Sequence, residues 1–170
     1  MLTTHLRSAS PADAAAICAI YNPYIATTTI TFEEEVVADA DMAQRIADVA
    51  AAGLPWLVAE EGGKVVGYAY ATKWRARSAY RHSVESTVYL DRACVGRGLG
   101  RTLYAALLQA LRERDLHLVI GGIALPNDAS IALHETMGFH KVAHFAEVGM
   151  KFGRRLDVGY WQLRLDDLRA

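Results

Sequence analysis

Apolar and polar positions alternate along this chain with two different periods. The run AAAICAIYN, residues 14–22, carries apolar residues at helical spacing. Ser10-Pro11-Ala12-Asp13 in front of it supplies a hydroxyl cap, a proline at the first helical position and an acid in the first turn. Asn22-Pro23 predicts where that helix ends. TTTITFEEEV is rich in β-branched residues but closes on acids and lacks alternation, so residues 24–37 read as a loop with extended pieces. A second helix is predicted from about Asp39 to Ala52. LPWLVAEE and KVVGYAYATKW are strand patterns on either side of Gly62-Gly63, a hairpin signal, and SVESTVYL, Ser83 to Leu90, is a further strand. A glycine-rich segment then opens an amphipathic helix from Leu99 to about Arg114. The apolar strand LVIGGIAL follows, then a helix from Asn127 to Met137 that Gly138 stops. Residues 140–165 read as two strands around the turn KFGRRLD.

Hairpins mixed with a strand–helix–strand crossover give an α+β class around a central mixed, mostly antiparallel sheet flanked by helices. The chain has 170 residues, with neither repeat nor linker, so residues 1–170 are expected to form a single domain. Apolar residues make up 52% and charged residues 22%, a globular composition. A net charge of −1 leaves no global field to attract nucleic acid or an anionic membrane. The N-terminal residues lack a signal-peptide layout, and no apolar run reaches the roughly 18 residues of a spanning helix, so a cytoplasmic location is expected. Of the two cysteines, Cys18 lies on the apolar face of the first helix as a core thiol, and Cys94 sits in the glycine segment, where solvent access is expected.

The candidate chemistry starts at VGRGLGRTLY, where Gly96, Gly98 and Gly100 open a helix. Amides at a helix N-terminus are donors backed by the positive end of the dipole, and glycines let a large anion come close. Phosphate binding is the physical suggestion, with plain helix capping as its alternative. Position 101 is arginine, which excludes G-x-G-x-x-G, and the Walker pattern is absent as well. HETMG, beginning at His134, lacks the second histidine of a zinc motif, and no metal is expected.

Read after ESTVYL, the GRGLG segment resembles motif A of the GNAT acetyltransferases, with Val95 standing where that pattern has arginine or glutamine. IYNPYI, TTTITFEEE, PWLVAEEGGKVVGYAYATKWRARSAYR, ESTVYL, ALPNDASIALHETMGF and KFGRRLDVGYWQL together resemble successive segments of its phosphinothricin and methionine sulfoximine acetyltransferase group. The resemblance implies a splayed cofactor-binding strand and acetyl-CoA as co-substrate. It assigns the pantetheine arm to Val88, Tyr89 and Leu90, the pyrophosphate to Gly96, Arg97, Gly98, Leu99, Gly100 and Arg101, and a further cofactor contact to Asn127, which local physics reads equally as an N-cap. Arg97 or Arg101 is expected to make up for Val95. It puts Arg75, Ala76, Arg77, Glu85, Ser86 and Thr87 near the acceptor, with Phe32 and Tyr80 as lesser candidates.

Transfer by direct attack of an amine on the thioester needs an anchored cofactor, a neutral amine and a protonated leaving thiolate. The resemblance gives Glu85 and His134 the catalytic roles, and we expect them to handle protons as a pair joined through water. A carboxylate's reference pKa near 4.3 makes Glu85 a weak base unless burial raises it, and imidazole's, near 6.5, suits neutral pH. The acceptor implied is the α-amine of a small amino acid or analogue of the phosphinothricin, methionine sulfoximine or methionine sulfone type. A homodimer is also implied. Two other readings stay open: an acyl-CoA-binding sensor without turnover, and an acetyltransferase of protein N-termini.

Overall fold

The computed structural model describes residues 3–166, and they divide into two compact units built from interleaved stretches of chain. The first comprises the chain up to Asn22, Val37–Thr72 and Ser86–Asp115; the second comprises Pro23–Val36, Lys73–Glu85 and the chain from Leu116 onward.

In the first unit, strand β1 (Thr4–Ser8) precedes a 3-10 turn, Pro11–Asp13, and helix α1 (Ala14–Thr27), whose last turn belongs to the second unit. Helix α2 (Asp39–Ala51), strands β2 (Trp56–Glu61) and β3 (Lys64–Lys73), the latter part of β4 (Ser83–Leu90) and helix α3 (Leu99–Arg112) follow. The strand order is β1-β2-β3-β4. β1 was not legible in the sequence, because THLRS is short and mostly exposed on an edge and so needs no apolar alternation. Gly62 and Gly63, at φ 57° and 79°, make the two-residue turn between β2 and β3 that only a left-handed pair allows. The start of α1 is held as its sequence suggests: Asp13 accepts from the Ser10 amide at 2.8 Å and pairs with both Arg7 nitrogens at 2.8 and 2.9 Å. One apolar stripe of α3, Leu99, Leu103, Tyr104, Leu107, Leu108 and Leu111, is buried.

Asn22-Pro23 does not end α1. The helix runs through Pro23 to Thr27, where the Thr27 hydroxyl donates to the Pro23 carbonyl and the Thr28 hydroxyl to Tyr24, each at 2.7 Å. Burial of Tyr24 and Ile25 outweighs the local helix-breaking signal. The Asn22 amide instead clasps Val37, donating to its carbonyl and accepting from its N–H at 3.0 Å each.

In the second unit the start of β4 is followed by β5 (Leu118–Ala124), helix α4 (Asp128–Thr136), β6 (His140–Lys151) and β7 (Arg154–Arg164), with strand order β4-β5-β7-β6. β4 and β5 are parallel, and β5–β7 and β6–β7 antiparallel, which gives the mixed, mostly antiparallel α+β architecture expected. The β4–β5 ladder covers Ser83↔Leu118, Val84↔Val119 and Glu85↔Ile120 and stops at Glu85. Lys151, 1% exposed, donates from Nζ to the Thr31 carbonyl at 2.8 Å and so ties the Thr28–Val36 segment to the β6–β7 hairpin.

Candidate active site

The glycine segment lies in the first unit. Asp91 caps a 3-10 turn over Arg92–Cys94 by accepting from the Ala93 amide at 3.0 Å, and the chain then passes through Gly96 and Gly98 at φ 77° and 80° into α3. Side chains rarely tolerate that backbone, and nothing lies within 4 Å of where a Cβ would stand on either glycine. Gly98 is the N-cap of α3, so no side chain caps the helix, and its first turn contains no acid. Gly96 and Gly98 leave the exposed approach to α3 without side chains at two positions, and no side chain caps the first amides of the helix, both of which a phosphate site requires. A pyrophosphate fits these residues.

Two expectations about this loop change. Cys94 is buried, 8% exposed, because the 3-10 turn folds it inward. Arg97 is directed at Glu61, with Nη2 at 3.1 and 3.2 Å from its two carboxylate oxygens, and Glu61 also accepts from the Thr4 hydroxyl at 2.8 Å. Arg97 thus braces the loop, while Arg101 is exposed on the first turn of α3. Farther up β4, Tyr89 packs its ring on Tyr21 and Tyr68, at 4.9 and 5.7 Å between centroids, and Leu90 fills the space a side chain on Gly67 would need. Val88 is half-buried in the same stretch.

The second unit holds the proton-handling candidates. Glu85 shares a register position with Ile120, and its Oε1 lies 3.1 Å from where a Cβ on Gly122 would stand. Burial pushes its carboxyl above the usual carboxylate range, and the nearby Arg75 charge pulls it back only in part. Arg75 spreads over the Trp74 ring at 4.7 Å, and Trp74 meets Tyr160 edge-on at 5.6 Å. Ala76 and Arg77 follow Arg75 on the exposed approach to a 3-10 turn, Ser78–Tyr80.

His134 is 5% exposed on α4. Its Nδ1 lies 2.7 Å from the Ser130 carbonyl, which can only accept, so the ring hydrogen sits on Nδ1 and Nε2 is the proton-accepting atom. Burial holds the ring below the usual imidazole range, against the pull of the Ser130 carbonyl, so it is neutral at pH 7. Nε2 lies 2.5 Å from where a Cβ on Gly121 would stand. Successive strand residues face opposite ways, so Gly121 and Gly122 place His134 on one face of β5 and Glu85 on the other.

Of the remaining candidates, Asn127 caps α4 through Oδ1, which accepts from the Ser130 amide at 3.2 Å, leaving its NH2 group for a cofactor contact. The Ser86 hydroxyl is buried against the Tyr104 hydroxyl at 2.5 Å, while Thr87 is half-buried. Phe32 packs on Gly149. The sequence reading missed Gly121, Gly122, Trp74 and Tyr160; adjacent glycines inside a strand were the available signal. Among the described residues no group of three or more His, Cys, Asp or Glu side chains is arranged to hold a metal, and no helix is long and apolar enough to cross a membrane.

The family model of the acetyltransferase (GNAT) domain matches residues 6–159. The chain belongs to the GNAT acetyltransferases. This GNAT chain is 42% identical over 160 residues to a phosphinothricin N-acetyltransferase of Streptomyces viridochromogenes, a match that covers 92% of the chain and 85% of the relative. It is 41% identical over 168 residues to an L-methionine sulfoximine/L-methionine sulfone acetyltransferase of Salmonella typhimurium, over 97% and 96% of the two. A solved acetyltransferase from Salmonella typhimurium, with its cofactor acetyl-CoA, superposes with a TM-score of 0.94 at 38% identity, over 96% of this chain and 95% of that one.

Proposed function

We propose that this GNAT chain works in the cytoplasm as a single-domain, acetyl-CoA-dependent N-acetyltransferase. Its acceptor is the α-amine of a small amino acid or analogue of the phosphinothricin, methionine sulfoximine or methionine sulfone type. One observation carries the reading: β4 bears a half-buried carboxylate, Glu85, beside Arg75, three residues before the segment that leads to an uncapped, glycine-lined helix end. Along the chain the proton acceptor stands just upstream of the segment assigned to the pantetheine arm. The names of the relatives supply the acceptor class.

Acetyl-CoA, when bound, supplies an electrophilic acyl carbon and a thiol leaving group. The amides of Gly96 to Arg101, with Arg101, hold its pyrophosphate, and Val88 to Leu90 and the NH2 group of Asn127 line the pantetheine arm. Arg75 and Arg77 hold the acceptor carboxylate through paired donors. Glu85 draws the ammonium toward the thioester and takes its proton, directly or through water, a task its raised pKa suits. His134, neutral and held from Ser130, lies behind β5 from Glu85 with Nε2 against Gly121. The proton for the departing thiolate therefore comes from the acid that Glu85 has become or from solvent, and His134 sets the position of α4 against β5.

Thiol release tests the reading. With phosphinothricin, methionine sulfoximine, methionine sulfone, ordinary amino acids and an alanine-led peptide as acceptors, at least one free amino acid or analogue should exceed the peptide in kcat/KM by about a hundredfold, the scale on which pocket fit alone discriminates. Cofactor binding with no release for any acceptor would establish a sensor. Preference for the peptide would establish a protein acetyltransferase.

We further propose a homodimer through β6, the last strand of its sheet order. Val142, Phe145, Val148 and Met150 are 47%, 51%, 60% and 57% exposed along it, more apolar surface than a strand at the end of a sheet normally leaves in water. Sedimentation equilibrium should give dimers for the wild type and monomers for a Val148→Glu, Met150→Glu double variant. A wild-type monomer with full activity at micromolar concentration overturns the assignment.

A further inference from the structure

Gly122 occupies the middle of a central strand yet is exposed, while Gly121 and Ile123 on either side are buried. The sheet is therefore open to solvent at this point on the Glu85 face. Its backbone does not require glycine, since its φ is not in the left-handed region. Glycine in a strand interior weakens the strand, so the absent side chain is what this position needs.

A Cβ there would stand 3.1 Å from Glu85 Oε1 and 3.1 Å from Tyr160 Cε1. Tyr160 is the register partner of Gly122 on β7, so both side-chain directions share one face. The Tyr160 ring is held edge-on by Trp74 at 5.6 Å and by Phe145 at 5.7 Å and cannot easily swing aside. Gly122 is thus the floor of a recess with a carboxylate on one wall and a braced aromatic ring on another.

We infer that Gly122 is the specificity-determining residue of the acceptor pocket. Its missing side chain leaves the room in which the acceptor's amine meets Glu85 while the acceptor's own side chain lies against Tyr160. The inference rests on the function proposed above and adds what limits acceptor size: the volume above Gly122, bounded by Tyr160. A methyl group at position 122 consumes that volume and presses on Glu85, whose flexible side chain yields by a few tenths of an ångström. Bulky acceptors then lose more than small ones.

Steady-state kinetics of Gly122→Ala with alanine, 2-aminobutyrate, methionine and methionine sulfone test this. The expected loss in kcat/KM grows along the series, to at least about tenfold for methionine sulfone, the scale of one methylene's misfit. The KM for acetyl-CoA and the melting temperature stay close to wild type. Adding Tyr160→Leu to Gly122→Ala returns volume to the recess, and methionine sulfone should regain activity relative to alanine. A loss equal for all acceptors, no loss beyond twofold, or no recovery in the double variant overturns the inference while leaving the proposed function intact. A wild type inactive on every amino acid and analogue removes both.

Discussion

Replacing Glu85 by glutamine is expected to lower kcat by about 10²- to 10³-fold, the range for loss of a positioned general base, and at the same time to raise the melting temperature. The two effects have one cause. Desolvation holds the Glu85 carboxyl above its ordinary 4.5. Because the folded-state pKa lies above the unfolded one, the folded chain binds the extra proton in the window that opens at about 4.5. Stability therefore falls as pH rises through that window, and above it the ionised carboxylate is a net burden on the fold. Glutamine keeps the shape and removes the charge. At pH 7 to 8 the variant should melt a few degrees higher, since about 1 kcal/mol shifts a domain of this size by roughly 2–4 °C. Below pH 4, where Glu85 is protonated in both states, the difference should vanish. In kinetics, the acid limb of kcat/KM should titrate above the ordinary carboxylate range in the wild type and be lost in the variant. A variant that keeps turnover within threefold of wild type, or whose melting differs from wild type equally at pH 4 and pH 8, would show that Glu85 is an ordinary surface acid.

How much of this was legible in the sequence depends on how locally each feature is determined. The β2–β3 hairpin, α2, α3 and the cap of α4 at Asn127 follow from turn residues and periodicity, and they appear where those signals place them. The extension of α1 past Pro23 was not legible, since burial of Tyr24 and Ile25 is a tertiary fact. The same holds for Arg97: its spacing suits an anion contact, but its partner, Glu61, lies 36 positions away on β2. Glu85 and His134 were legible as a chemical pair only through family resemblance. Their separation to opposite faces of β5 emerges from the parity of Gly121 and Gly122 once α4 is seen to cover the Gly121 side. The amine nitrogen and the thiolate sulfur are bonded to one acyl carbon, so a His134 behind β5 cannot serve the sulfur while Glu85 serves the nitrogen, and the water-joined pair expected from the sequence does not form across the strand.

Gly98→Asp separates the two physical readings of the glycine segment, because they give different results. Aspartate is among the better N-caps and tolerates a left-handed backbone, so its carboxylate would accept from the first-turn amides of α3. The cap stabilises by about 1 kcal/mol, and the strained φ of 80° costs a comparable amount, so the melting temperature should move little. Toward a pyrophosphate both consequences are adverse. The donors are already engaged, and a unit negative charge stands at the helix end where the phosphates would sit. The KM for acetyl-CoA should rise about tenfold, the scale of one charge-assisted hydrogen bond lost at an exposed helix end, with kcat at saturating cofactor nearly kept. Gly98→Asn supplies the same cap without the charge and should show a clearly smaller rise. If α3 merely lacked a cap, Gly98→Asp would leave the KM for acetyl-CoA unchanged, with the melting temperature again moving little. A KM that rises with Asp and much less with Asn identifies the amides from Gly96 to Arg101 as the cofactor's anion site, and Gly98 as a residue selected for what it leaves exposed.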